Sequence, residues 1–533
     1  MGCIKSFGLG DGVRLWHDLV TISLAVLFAP MDMNDKTTDS RISTGVEGLD
    51  VILGGGLPRN HIYLLEGNPG TGKTTIALQF LLEGRRLGET GLYITLSETK
   101  AELVEVARTH GWTLDGIHIY DLAVPEESAL PDDQYTLFHP AEVELGETTK
   151  AIFAEVERLQ PARAILDSLS EMRLQAREPL RYRRQILALK QFFIGKQSTV
   201  FLLDDHTAEA SDRLLESIVH GVFMLDQNSP GYGAVRRNLF VSKLRGVKYR
   251  SGYHNLNIET GGVVLHPRVV AGDHRTDTGF EPVSSNVAAL DALIGGGLDA
   301  GTATLILGPA GSGKSTLAAQ FAFAAAERGD NVAFFAFDES ANTLLKRTLA
   351  IGIDLQKHLA AGRCTIKQVD PAELSAGEFS FMVRQAVEES KAAVVVIDSI
   401  NGYFQAMPEE HFLTAHIHEL LSYLGNQGVL TLMVLAQHGI VGSNMLVPVD
   451  LSYLADTVLM LRYFEAGGEV RQALSVVKKR TGHHERSIRE FRITSQGIEV
   501  GEPLKQFQGV LTGVPEYVGK PGPLFANDDE RTE

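Results

Sequence analysis

Two hydrophobic patterns alternate along this chain of 533 residues. Short continuous apolar runs bounded by turn residues are typical of buried parallel strands, and they occur as IYLLEG, LYITLS, RAILDS, TVFLLDD and VFMLDQ. Longer amphipathic segments with helical periodicity separate these runs, and the first of them covers residues 74–87. The alternation predicts an α/β fold in which a mainly parallel sheet carries helices on both faces.

The same pattern is present twice. The segment GLDVILGGGLPRNHIYLLEGNPGTGKTTIALQF begins at Gly48, and its counterpart ALDALIGGGLDAGTATLILGPAGSGKSTLAAQF begins at Ala289. Later segments also correspond, GLYITLSE with NVAFFAFDE and LFVSKLRG with LSVVKKRT. Self-similarity of this extent indicates a duplicated domain. We predict an irregular lead over residues 1–40, a first domain over 41–268, a linker over 269–282, a second domain over 283–500 and a largely disordered tail over 501–533.

Composition narrows the class of protein. The chain is 44% hydrophobic and 22% charged, which excludes fibrous and wholly disordered proteins. Two cysteines, Cys3 and Cys364, cannot form a disulfide framework, so a cytoplasmic location is favoured. The net charge of −17 argues against nucleic acid and anionic membranes as partners. No run reaches the ~18 apolar residues of a membrane span. For residues 1–30, a misassigned start, a disordered lead, a membrane-touching extension and an export signal remain open.

Two glycine-rich segments fit the phosphate-binding pattern G-x-x-x-x-G-K-[ST]. Each follows a predicted strand and precedes a predicted helix, whose N-terminus favours bound phosphate. The lysines would reach the β and γ phosphates of ATP, and the residue after each lysine, Thr74 or Ser315, would hold Mg²⁺. The predicted ATP contacts are Gly67, Gly70, Thr71, Gly72, Lys73, Thr74 and Thr75 in the first copy and Gly308, Gly311, Ser312, Gly313, Lys314, Ser315 and Thr316 in the second.

Acidic residues end two of the predicted strands in each copy. Asp167 and Asp398 close the runs ILD and VID, where a carboxylate can bind the Mg²⁺ water shell; the alternative is an acid that caps a loop. Glu98 and Glu339 end the second strand, where a carboxylate can orient or deprotonate an attacking water; the alternative is simple solvation of a strand end. Asp338 precedes Glu339, so the second copy carries an acidic pair.

Paired cations occur on a late strand of each copy. Lys243 and Arg245, like Lys478 and Arg480, are two residues apart and therefore share one face of a strand. They could contact the γ-phosphate of a neighbouring subunit's nucleotide, which requires a ring or filament with ATP at its joints. The alternative is a solvated strand end.

These features together resemble the KaiC family of clock ATPases and autokinases. The lead GVEGLDVILGGGLP, the duplicated core and the strands ending KLRG and KKRT carry the resemblance, which covers residues 42–517. It implies two tandem RecA-like P-loop domains, assembled as two-tiered hexamers with ATP and Mg²⁺ between adjacent subunits. The first tier would be an ATPase with Glu98 as its catalytic glutamate, and Ser97 replaces the partner glutamate of the family. The second tier would be an autokinase whose acidic pair is Asp338 and Glu339.

The resemblance also assigns contacts to the neighbouring subunit and a modification site. Ser452 matches the phosphorylated serine of the family, and Tyr453 replaces its threonine. We expect a homo-oligomeric signalling ATPase with serine/threonine kinase activity toward itself. The residues matched to the neighbour's ATP are Lys243, Leu244, Arg245, Lys478, Lys479, Arg480 and His484.

Two other classes of protein remain open. A DNA-handling RecA relative would use the basic segment 170–185, which includes Arg181, Arg183 and Arg184. A scaffold in which bound ATP only holds the ring together is compatible with Ser97 in the first copy. Intact lysines, Mg²⁺ ligands and glutamates in both copies favour the ATPase.

Overall fold

The computed structural model describes residues 41–122, 140–176, 178–205, 213–273, 279, 281–405, 412–437, 451–511 and 515–518. The predicted lead over residues 1–40 and the last part of the predicted tail lie outside these ranges. None of the helices within them is both long enough and apolar enough to cross a membrane.

The first domain contains eleven described strands and seven described α-helices. Its strands are β1 Arg41–Ile42, β2 Leu57–Pro58, β3 Ile62–Gly67, β4 Gly91–Thr95, β5 Ile117–Asp121, β6 Arg163–Asp167, β7 Thr199–Asp205, β8 Gly221–Asn228, β9 Arg236–Leu244, β10 His254–Glu259 and β11 Gly262–His266. Its helices are α1 Glu47–Ile52, α2 Lys73–Arg86, α3 Lys100–Thr109, α4 Pro140–Leu159, α5 Leu169–Ala176, α6 Pro179–Gly195 and α7 Arg213–Ile218, and a 3₁₀ turn, Ala271–Asp273, follows.

The second domain repeats this series. Its strands are β12 Pro282–Val283, β13 Leu298–Asp299, β14 Ala303–Gly308, β15 Asn331–Ala336, β16 Cys364–Gln368, β17 Ala392–Asp398, β18 Leu430–Ala436, β19 Thr457–Ala466, β20 Glu469–Lys479, β21 Ile488–Thr494, β22 Gly497–Pro503, β23 Phe507–Gln508 and β24 Glu516–Tyr517. Its helices are α8 Ala288–Ile294, α9 Lys314–Arg328, α10 Ala341–Leu349, α11 Leu355–Ala360, α12 Ala376–Glu388, α13 Ile400–Gln405 and α14 Leu413–Asn426.

Each domain is built on one nine-stranded sheet. The first has the order β11-β10-β9-β8-β3-β7-β6-β4-β5, and the second has the same order with β22, β21, β20, β19, β14, β18, β17, β15 and β16. In the first sheet, the neighbouring strands β8, β3, β7, β6, β4 and β5 are parallel. Strands β9, β10 and β11 add an antiparallel extension at one edge. The predicted α/β class with two tandem copies is therefore confirmed. In both copies the strand before the glycine-rich loop lies at the centre of the sheet.

Apolar cores cover both faces of the first sheet, which explains why its strands are continuously hydrophobic. Along β3, Leu64 packs into one core with residues of α4, α5 and α6, whereas the next residue, Leu65, packs into the other core with residues of α1, α2 and α3. Successive side chains of a strand point to opposite faces. A strand between two helical layers therefore needs apolar residues at every position.

Ordered structure continues beyond residue 500, where we expected a largely disordered tail to begin. Strand β22 pairs with β21 and runs to Pro503. Leu504, Phe507 and Val510 are then buried against Phe464 in a small apolar cluster. Burial of these side chains fixes the chain as far as the described residue 511.

Candidate nucleotide-binding and catalytic sites

The two phosphate loops lie at the carboxyl ends of the central strands β3 and β14. In each loop the residue before the lysine caps a helix, α2 or α9, and has a left-handed backbone, with φ of 102° at Gly72 and 96° at Gly313. Glycine adopts this conformation without steric cost. The Thr71 hydroxyl donates to the Asn68 carbonyl at 2.8 Å, and the Ser312 hydroxyl donates to the Pro309 carbonyl at 2.9 Å. These bonds close a turn within each loop.

The loop lysines have different partners in the two copies. Lys73 Nζ donates to the Gly67 carbonyl at 2.7 Å and to the Asn68 carbonyl at 3.2 Å, and it forms an ion pair with Asp205 Oδ1 at 2.9 Å. Lys314 Nζ donates to the Pro309 carbonyl at 2.7 Å. Burial lowers the pKa of Lys314, although Asp398 and Asp338 oppose that shift.

The strand-end aspartates lie beside the hydroxyls predicted to hold Mg²⁺. The Ser315 hydroxyl bonds to Asp398, while Tyr93 donates to Asp167 Oδ2 and also contacts the Thr74 hydroxyl. Burial raises the pKa of Asp398 to about 6 and raises the pKa of Asp167 despite the bond from Tyr93. Both carboxyls are therefore short of compensating positive charge.

These residues fit a magnesium ion. Asp398 Oδ2 is buried and has no hydrogen-bond partner among the described residues. Hard oxygen donors of this kind suit Mg²⁺, which keeps several waters and usually binds through one or two protein oxygens plus phosphate. No group of three or more metal-ligating side chains occurs in the described ranges. Mg²⁺ would therefore take Thr74 with Asp167, or Ser315 with Asp398, and complete its shell with phosphate and water.

The predicted catalytic acids occupy unlike surroundings. Burial, followed by the charges of Asp167 and Glu102, raises the pKa of Glu98, and Glu98 Oε2 has no hydrogen-bond partner in the described part of the chain. Glu339 instead forms an ion pair with Arg347, 2.6 Å from Nη2 to Oε1. A raised pKa without a cation in contact is the condition of a carboxylate that can accept a proton.

The other acid of the pair, Asp338, lies on the solvent side. It is exposed, and Ser399 donates a hydrogen bond to its Oδ2. Ser399 follows Asp398 directly. The bond therefore links the acidic pair at the end of β15 to the end of β17, next to the phosphate loop.

The four paired cations donate to backbone carbonyls in both copies, and Arg480 also forms an ion pair with Asp456 Oδ1 at 3.2 Å. Lys243 Nζ donates to the Val219 carbonyl at 2.9 Å and to the Glu216 carbonyl, and Arg245 donates to the Ser217 carbonyl at 2.9 Å. All three carbonyls belong to α7 or the residue after it. The cations therefore share one face of the chain, as their spacing predicts.

In the second copy the corresponding carbonyls belong to the turn that contains Ser452. Lys478 Nζ donates to the Ser452 carbonyl at 2.8 Å and to the Ala455 carbonyl at 2.6 Å, and Arg480 donates to the Tyr453 carbonyl at 2.8 Å. The turn precedes β19. We call these five residues the turn cluster.

Three other residues matched to the neighbour's ATP lie apart from these cations. The Leu244 side chain is buried in the core that contains residues of α1, α2 and α3. Lys479 Nζ donates to the carbonyls of Ile294 and Gly297 at 3.2 and 3.0 Å, so its side chain points to the opposite face of β20 from Lys478. His484 is half-buried in the loop after β20.

Sequence reasoning missed three residues that contact these sites. Asp205 ends β7, Tyr93 lies within β4, and Arg347 is on α10. Asp205 could have been found, because carboxyl ends of neighbouring parallel strands meet at one edge of a sheet, where ligands bind. Tyr93 and Arg347 gave no such signal, because each is one polar group in an amphipathic or apolar segment.

The fold and the two loops define the class of protein: a tandem P-loop ATPase of the RecA-like type. The family model for KaiC ATPases matches residues 42–270 and 283–505. Circadian clock protein KaiC3 of Synechocystis is 26% identical over 500 residues, covering 92% of this chain and 97% of that protein. Circadian clock oscillator protein KaiC is 26% identical in Thermostichus vulcanus, covering 92% and 93%, and 24% identical in Synechococcus elongatus, covering 93% and 95%. The chain belongs to the KaiC family of ATPases.

Proposed function

We propose that this protein is a cytoplasmic signalling ATPase that assembles as a hexameric ring with ATP at its subunit joints and phosphorylates itself on Ser452. The turn cluster is the observation that carries the proposal. Lys478 and Arg480 are the two cations proposed to reach a neighbour's nucleotide. Lys478 donates to the carbonyl of Ser452, the proposed acceptor, at 2.8 Å, and Arg480 donates to the carbonyl of Tyr453 at 2.8 Å.

The roles of the site residues follow from their surroundings. The loop amides and lysines would hold the phosphates, and Mg²⁺, when bound, would neutralise charge on the phosphate oxygens. Glu98 would accept the proton of an attacking water in the first domain, since its pKa is raised. In the second domain the acidic pair Asp338 and Glu339 would serve transfer to a hydroxyl.

Ser452 is favoured as that hydroxyl by its place in the turn cluster. It is half-buried, whereas the side chain of Tyr453 is 55% exposed. If Lys478 and Arg480 contact the neighbouring nucleotide, Ser452 lies beside the same nucleotide because its carbonyl is bonded to Lys478. A tyrosine hydroxyl extends several ångströms farther from the backbone, so Tyr453 does not reproduce the geometry of a threonine.

A labelling experiment tests the kinase. Purified protein is incubated with Mg²⁺ and γ-labelled ATP, and free phosphate, protein-bound label and particle size are followed together. We expect release of phosphate, label on the protein and a particle of six subunits. Ser452→Ala should lose the label, while Tyr453→Phe and the helical control Ser422→Ala should retain it. Absence of label from the wild-type protein would exclude the kinase, and undiminished label in Ser452→Ala would exclude only this site.

A mixing experiment tests the shared site. Subunits with Lys314→Ala lack a phosphate-loop lysine in the second domain, and subunits with Arg480→Ala lack the proposed contact to a neighbour. In a mixed ring, some joints combine the intact Lys314 of an Arg480→Ala subunit with the intact Arg480 of a Lys314→Ala subunit. Labelling should therefore recover when the two inactive preparations are mixed. If the mixture is no more active than its components, Arg480 does not act across the joint.

A further inference from the structure

Arg347 connects the acidic pair of the second domain to its phosphate-loop helix. Its guanidinium donates to Glu339 through Nη2 at 2.6 Å and Nε at 3.4 Å, and through Nη1 to the Thr316 hydroxyl at 2.9 Å. Thr316 is two residues after Lys314 on α9. The side chains of Arg347 and Glu339 are only 32% and 22% exposed, so solvent screens this contact less than it screens a surface ion pair.

The first domain lacks this arginine. Helices α3 and α10 correspond: both begin after a hydroxyl cap, Thr99 or Ser340, and both bury a leucine on the fourth helical residue. In that alignment Val106 takes the place of Arg347, and it packs against the core that contains residues of α1, α2 and α3. The two copies therefore differ at the position from which Arg347 contacts Glu339.

The contact with Arg347 bears on how Glu339 can act on a water molecule. In hydrolysis the water oxygen bonds to the γ-phosphorus as the bond to the β–γ bridging oxygen breaks, and that oxygen leaves with its electron pair on ADP. The water proton passes to a carboxylate. A carboxylate whose two oxygens already accept from a guanidinium has a fixed orientation and fewer lone pairs open to a hydrogen bond from water.

We propose that Arg347 is a positioning residue that withholds Glu339 from water and so restrains hydrolysis of ATP in the second domain. The bond to Thr316 anchors the guanidinium to the phosphate-loop helix and keeps the pair in place. The adjacent acid, Asp338, stays outside the pair, bonded to Ser399. The inference rests on the proposed turnover of ATP at this site, and it predicts that removing a cation increases catalysis by water.

Steady-state phosphate release from the full chain tests the inference. A Lys73→Ala background silences the first domain, so the remaining release reports the second. Arg347→Met keeps the length of the side chain and removes its charge. We expect kcat to rise about tenfold with KM changed by less than about twofold, because a hydrogen bond to a charged group of ordinary strength corresponds to about that factor. Arg347→Lys keeps the charge but lacks the paired N–H donors of the guanidinium, so its kcat should lie between those of the Lys73→Ala parent and Arg347→Met.

Three further variants separate this role from a structural one. Lys346→Met removes an exposed cation of the same helix and should change nothing. Adding Glu339→Gln to Arg347→Met should cancel the gain, as expected of two residues in contact. In a Lys314→Ala background, Val106→Arg should lower kcat of the first domain. Arg347→Gln replaces Arg347→Met if thermal unfolding shows that the latter is not folded.

The outcomes are distinct. A lower or unchanged kcat in Arg347→Met, with turnover in its Lys73→Ala parent, overturns the role of Arg347 and leaves the proposed function standing. No turnover in either protein overturns both. A gain that survives Glu339→Gln overturns the inference as well, because the released carboxylate would not be its source.

Discussion

We expect Asp205 to oppose nucleotide binding at the first phosphate loop. Lys73 Nζ has three N–H groups, and they are directed to the Gly67 carbonyl, the Asn68 carbonyl and Asp205 Oδ1. A phosphate that binds this lysine must therefore displace an acceptor, and the one on a side chain is Asp205. Strand register places Ala436 at the corresponding position of the second domain, because Gly67 pairs with Asp205 and Gly308 pairs with Ala436.

The expected magnitude follows from the separation of the charges. At 2.9 Å, an effective dielectric constant of 20 gives a gross attraction of roughly 6 kcal/mol. Asp205 is 41% exposed, so water screens much of this, and exposed pairs are worth at most about 1 kcal/mol. Lys73 is buried. We therefore expect a net effect of about 1–2 kcal/mol, so that Asp205→Ala tightens ATP binding by roughly 5- to 30-fold.

Calorimetric titration of ATP measures this effect. A Lys314→Ala background confines strong binding to the first domain, and titrations with and without Mg²⁺ separate the lysine from the metal. Asp205→Asn, which keeps the shape and removes the charge, should behave like Asp205→Ala. The reciprocal Ala436→Asp in a Lys73→Ala background should weaken binding at the second loop. Unchanged affinity would refute the reasoning, and weaker binding only with Mg²⁺ would make Asp205 a metal-shell residue instead.

Three further predictions concern catalysis and stability. Glu98→Gln should abolish phosphate release in a Lys314→Ala background. In the parent of that variant, release should fall on acidification at a pH above the 4.5 of an ordinary glutamate, because burial and Asp167 raise the pKa of Glu98. Glu89→Ala should destabilise the first domain by about 3–5 kcal/mol in denaturant titration, since the fully buried Arg163 loses a partner at 2.6 Å. Burial raises the pKa of Glu89, but bonds from Arg163 and a second arginine hold it below 4.5, so this contribution is present above pH 4.5 and is lost as pH falls through the lower folded value. Cys364, whose pKa burial raises to about 11, should react with a thiol reagent only on unfolding in a Cys3→Ser background.

Local sequence signals were sufficient for the parallel part of the fold. The apolar runs predicted β3, β4, β6, β7 and β8, because strands covered on both faces need apolar residues at every position. Late strands, now β9 and β20, were predicted in both copies, but the antiparallel pairing of the sheet edge and the apolar cluster after residue 503 were not, because these segments mix polar and apolar residues. The edge is held by pairing between strands that are adjacent in the chain, whereas the cluster is held by contact with Phe464 of the more distant strand β19.

Contacts within the sites could be predicted where a motif itself places a residue at the end of a strand or the start of a helix. Asp398 and Ser315 meet because one ends a strand and the other begins a helix. Matching residues 478–480 to the family as one run does not give the direction of each side chain. The pleat of β20 turns the side chain of Lys479 away from the face that carries Lys478. The contact between Arg347 and Thr316 joins two separate helices, and no spacing along the chain encodes it.

The two ion pairs act on different steps of the same chemistry. Asp205 competes with phosphate for Lys73, so its removal should change the ATP concentration at which the first domain is half-saturated and leave the saturated rate almost unchanged. Arg347 acts on a carboxylate rather than on the phosphate loop's lysine, so its removal should change the saturated rate of the second domain. The two pairs share no residue. In a chain that carries both Asp205→Ala and Arg347→Met, each effect should therefore keep the size that it has alone, and a departure from this would measure communication between the domains.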